Sequence, residues 1–171
     1  MKEEIVNKVA KSGLITISLS SFLPDEKIKE IDLSSFLSNG VLKEKEFRKK
    51  IKHKDFSNYK NSKVCVFCST ETIIPMWAYM LITVALKNIT DDVFFGIKYD
   101  LINKITIENI QSIKAEKYKN KKIIIKGCDN DKINESAYIE ITKKIQKVAS
   151  SIMFGEACSS VPVLKNNKNE I

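Results

Sequence analysis

At 171 residues and 19.5 kDa, with 43% apolar and 29% charged residues, the chain has the length of one domain and a composition that excludes intrinsic disorder. Its formal charge of +8 favours phosphate-rich partners in principle. Arg48 is the only arginine among the 29 basic residues, however, so the guanidinium fork that reads phosphate and guanine is nearly absent, which argues against nucleic acid as a partner.

The opening MKEEIVNKVAKSG puts acidic residues where a secretory signal would be basic and has no continuous apolar core, so a cytoplasmic location is expected. Leu14 to Leu19 reads as a strand, Pro24-Asp25 as a turn, and Ile28, Ile31 and Leu33 as a second strand-like alternation. After Asn39-Gly40, Lys43 to Lys52 is helical, with Phe47 and Ile51 four apart on one face. These segments, to about residue 60, form a small N-terminal strand/helix subdomain. No internal repeat divides the sequence.

The second region alternates strand and helix. Val64 to Phe67 is a short apolar run, and a helix follows from about Pro75 to Asn88. The most apolar stretch of the chain, Ile73 to Leu86, is too short to span a bilayer and suits a core or a homodimer interface. Val93 to Ile97 is a strand, Leu101 to Ile113 a helix, and Ile123 to Ile125 a strand. A last helix occupies about Ala137 to Ser151, with Ser136 as its N-cap. This order predicts an α/β fold with a mostly parallel sheet and helices on both faces, residues 1–164 forming a single domain and 165–171 a disordered tail.

In such folds ligands gather beyond the carboxyl ends of the strands. Cys68 ends one strand there, Cys128 follows another, and Cys158 lies in a small-residue segment able to turn back toward them. Three converging thiolates would suit zinc or iron, or would exchange persulfide sulfur. Three unrelated buried thiols are the equal alternative. Cys65 is assigned to packing, because residues three apart on a strand point to opposite faces. His53, the one histidine, sits in a basic run and reads as a solvated residue. Nucleotide-binding and common hydrolase motifs are missing, so no nucleotide cofactor is expected.

The segments FCSTETIIPMWAYML, IKGCDNDKINESAYIEIT and SIMFGEACSSVPV, with the opening EIVNKVAKSGLITISL, resemble the bacterial family catalogued as domain of unknown function 2480. The resemblance covers nearly the whole chain, and its segments contain Cys68, Cys128 and Cys158. Genes of this family tend to lie beside components of the sulfur-mobilisation pathway, which implies an accessory protein of iron-sulfur cluster assembly or sulfur metabolism, with assembly proteins as partners. The competing expectation is a non-enzymatic dimeric interaction domain whose cysteines only pack.

Overall fold

The computed structural model describes residues 13–127, 133–156 and 158–166. The fold is mixed α/β, and its sheets are mostly parallel. The strands are β1 (Leu14–Ile17), β2 (Ile28–Asp32), β3 (Lys63–Phe67), β4 (Val93–Phe95), β5 (Lys122–Ile125), β6 (Ser151–Glu156) and β7 (Ser159–Lys165). The helices are α1 (Glu44–His53), α2 (Met76–Leu86), α3 (Lys98–Ser112) and α4 (Glu135–Ile145), with short 3-10 turns between elements.

The strands divide between two sheets, and the chain between two compact units. The inserted unit, Asp25–Leu101, carries three parallel strands in the order β2-β3-β4. The discontinuous unit takes the described residues up to Pro24 and those from Ile102 onward, with the order β1-β5-β6-β7. Its first three strands are parallel, and β7 returns antiparallel to β6.

In the inserted unit α1 buries Phe47 and Ile51, and α2 buries Ala78, Ile82 and Leu86, against Ile31, Val64 and Val66 of the sheet. The four-residue steps place each set on one helix face. Glu44 and Glu46 in the first turn of α1, and Lys50, Lys52 and His53 in its last, match the helix dipole. Glu30, on the other face of β2, accepts the Lys98 N–H at 2.7 Å and so fixes the start of α3.

Two boundaries differ from the sequence reading. Helix α4 is capped by Asn134, whose side chain accepts from Ser136 N–H at 2.8 Å, rather than by Ser136 itself. It ends at Ile145, and residues 151–156 form β6. Val148 and Ala149 continue the helical apolar spacing, but Ile152 is needed in the sheet, where it pairs with Ile123. Strand β7 extends to Lys165, and the Asn166 amide donates to the Gln146 and Ala149 carbonyls, so the chain is anchored to that point. Residues 167–171 lie outside the described residues.

The expectation of no internal repeat is overturned. The elements of the inserted unit from β2 to β4 are repeated in the discontinuous unit from β1 to β6, to which β7 is added. The sequences ISLSSFL (Ile17–Leu23) and IDLSSFL (Ile31–Leu37) each run from a strand into a 3-10 turn, burying Leu19 and Leu33 completely. Downstream, equivalent residues fall at a constant 59-residue spacing. Asn61 and Asn120 precede β3 and β5 with φ of 55° and 58°. Gly96 and Gly155 have φ of 116° and 119°, a region that L side chains rarely enter. Val64 pairs with Val93 as Ile123 does with Ile152. Tyr79 meets Phe95 edge-on at 5.4 Å, and Tyr138 meets Phe154 at 5.8 Å. The cores correspond as well: Ala78, Ile82 and Leu86 of one are Ala137, Ile141 and Ile145 of the other. Side-chain identity is kept mainly where packing or a positive φ demands it, so the sequence hides the repetition.

Candidate functional site

At the carboxyl edge of the β2-β3-β4 sheet, side-chain hydrogen bonds tie together the loops that follow the strands. Asp32 ends β2, and its Oδ1 accepts the backbone N–H of Ser34 at 2.9 Å and of Ser69 at 3.0 Å. Burial opposes its charge, but the side-chain hydrogen bond of Ser69, helped by bonds from Ser34 and both backbone N–H groups, outweighs that cost and holds the carboxyl at about 2. One carboxylate thus ties the turn after β2 to the loop after β3. Farther along that loop, Thr72 Oγ1 donates to the Gly40 carbonyl at 2.8 Å.

Cys68 opens this loop, as the sequence predicted. It is half-buried against the core, with Sγ 3.2 Å from Thr70 Oγ1. Burial, and then the charge of Cys68, push the Tyr79 hydroxyl above its usual range. Cys65 is the packing thiol expected of it. It is buried, and burial first, with the Glu30 and Asp100 carboxylates adding to it against Lys98, raises its pKa to about 11. It is therefore a neutral and unreactive thiol at physiological pH.

Of the other predicted ligands, Cys158 is exposed in the turn between β6 and β7, in the discontinuous unit, while Cys68 belongs to the inserted one. Cys128 lies outside the described residues. Among the described residues no group of three or more His, Cys, Asp or Glu side chains is placed to hold a metal ion. His53 is exposed at the end of α1. A groove of about 1050 Å³ in the discontinuous unit lies at the opposite, amino-terminal edge of its strands, lined in part by Lys119, Lys121, Lys122 and Lys165. None of the described cysteines lines it.

The second feature of the inserted unit is apolar. Ile73, Met76, Met80, Val84 and Phe95 are 90, 71, 67, 58 and 81% exposed, and three of them fall at four-residue steps along α2. Scattered exposed apolar residues are ordinary, whereas a contiguous row marks an interaction surface. Trp77 does not belong to the row: it packs edge-on against Phe47 at 5.7 Å, beneath the Arg48 guanidinium. Sequence reasoning missed Asp32 and Phe95. The twin LSSFL turns could have pointed to the first, because they align Asp32 with the uncharged Ser18.

These features define the class: a mixed α/β protein of mostly parallel sheets, built from two repeated halves, one of which presents an apolar helix face. The family model described as "Protein of unknown function (DUF2480)" matches residues 3–166, and the chain belongs to that family. No curated protein and no solved structure matches the chain. No helix among the described residues is long and apolar enough to cross a membrane.

Proposed function

We propose that the protein is a non-enzymatic interaction domain that works as a homodimer through the outward face of α2. The observation that carries this reading is the row Ile73, Met76, Met80, Val84 and Phe95, all large, apolar and exposed. Burying such side chains is worth about 1.5–3 kcal/mol each at full burial, so a row of them supports association where isolated residues do not. Light scattering tests it. The wild-type chain should run at twice the monomer mass and Met80→Lys at the monomer mass; a soluble wild-type monomer at every concentration would defeat the proposal. Met80 suits the test because it is exposed, whereas Trp77 supports the core.

A second reading keeps the sulfur chemistry. Cys68 stands half-buried at the carboxyl end of a parallel strand and Cys158 stands exposed in a hairpin turn. With Cys128 they would bind zinc or iron, or accept sulfane sulfur from a donor persulfide and release the donor thiolate. The role would be that of an accessory to iron-sulfur cluster assembly or sulfur metabolism. Elemental analysis of protein purified without oxygen, beside Cys68→Ser, tests the metal. About one zinc or iron per chain, lost in the variant, supports the site. Metal retained in the variant removes Cys68 from it.

A further inference from the structure

The repeat supplies an internal control for the α2 face. In the discontinuous unit the strand equivalent to β4 is β6, and its outer edge is paired with β7 from Ser151–Lys165 to Glu156–Ser159. In the inserted unit β4 pairs only with β3 among the described residues. Toward β3 it uses the Asp92 carbonyl, bonded to Val64 N–H at 2.7 Å, and the Gly96 N–H, bonded to the Val66 carbonyl at 3.1 Å. Backbone groups alternate in direction along a strand, so those of Phe95 point to the outer edge. Natural sheets blunt such edges with proline or inward charge. Strand β7 does so with Pro162, while β4, reading Val-Phe-Phe, does not.

The helices above the two edges differ in the matching way. Where β7 covers the edge, the α4 positions equivalent to Met76 and Val84 are Glu135 and Lys143, and of the three only the equivalent of Met80, the exposed Ile139, stays apolar. Where the edge is open, α2 has no charged residue at all. An open edge and an apolar helix therefore occur in the same half, and a covered edge and a charged helix in the other.

We infer that β4 pairs antiparallel with β4 of a second copy of this chain, joining two three-stranded sheets into one continuous sheet with the two α2 helices side by side over the seam. This rests on the self-association reading above and adds the strand pairing to it. An open strand edge is complementary to itself under two-fold rotation, so the occupant is a second copy, and charge confines where the two copies can meet. A chain of net charge +8 repels its own kind over most of its surface, and α2 is the one helix of the four in the described residues without a charge to repel with. A two-fold axis through the middle of β4 makes the contact self-complementary, so it closes at the dimer.

Amide hydrogen exchange, read residue by residue by NMR on the full chain, tests the pairing separately from the mass. The Gly96 N–H is already bonded to Val66 and serves as the control in every sample. In the wild-type dimer the Phe95 N–H should exchange about a hundredfold more slowly than in monomeric Met80→Lys. A dimer whose Phe95 N–H exchanges as fast as in the variant would refute the strand pairing and leave the helix interface standing. A wild-type monomer would refute both. Protection of Phe95 that persists in the monomer would show that a segment of the same chain covers the edge, and would refute the inference too.

Discussion

Asp32 is the residue whose loss should be felt most specifically, because one oxygen of it serves two loops. Its carboxyl stands at about 2, against an ordinary value of 3.8. At about 1.36 kcal/mol per pK unit the shift corresponds to at most about 2.4 kcal/mol, and screening at this solvent-accessible edge leaves about 1 kcal/mol. The folded-state pKa is depressed, so the contribution is fully present above pH 3.8 and fades as the pH falls through about 2. Asp32→Asn retains an oxygen for the Ser34 and Ser69 N–H groups but lacks the charge. It should be about 1 kcal/mol less stable than wild type at pH 7, and that gap should shrink below pH 4 and be halved or less near pH 2. Asp32→Ala, which strands both donors, should lose about 2 kcal/mol at pH 7. Urea unfolding followed by circular dichroism at a series of pH values measures all three. A gap between wild type and Asp32→Asn that stays constant from pH 7 to pH 2 would refute the assignment of this stability to the charge.

Phe47, fully buried between Phe36 and Trp77, should cost about 3–5 kcal/mol on replacement by alanine, read as a lower urea midpoint. The equivalent position on α3 is the buried Thr106, whose hydroxyl donates to the Ile102 carbonyl at 2.7 Å. Cys65 should resist alkylation at pH 8 while Cys158 is labelled rapidly, as mass spectrometry of the digested protein would show; fast labelling of Cys65 would contradict its burial and its pKa of about 11. Gly155→Ala should destabilise the β6–β7 hairpin strongly, since a Cβ there would stand 2.6 Å from the Ser159 carbonyl oxygen at a φ of 119°. Gly96→Ala meets only the Asp100 side chain, at 3.4 Å, and should cost less.

Where a segment owed its structure to its own residues, it could be read in advance. Val64 to Phe67 and Ile123 to Ile125 are apolar runs that only a buried parallel strand accommodates, and Phe47 with Ile51 could only face inward. Cys65 could be set aside from alternation alone, and Cys68 placed at the carboxyl edge from the polar residues that follow it. The misreadings came where a partner distant in sequence decides the outcome. Ser151 to Glu156 carries a helix-compatible pattern on its amino side and becomes a strand because β5 on one flank and β7 on the other pair with it. The repeat was hidden for the same reason, since tertiary equivalence constrains Asn61 and Asn120, or Gly96 and Gly155, but leaves outward helix positions free to diverge. That divergence is the informative part. Two halves with the same strands, the same Tyr–Phe pair and the same left-handed turns differ chiefly in what lies beyond the third parallel strand. One half has its own hairpin strand beneath a charged helix. The other has an edge unpaired among the described residues, beneath a helix that exposes methionine and valine, and folding alone gives no reason to keep that face free of charge.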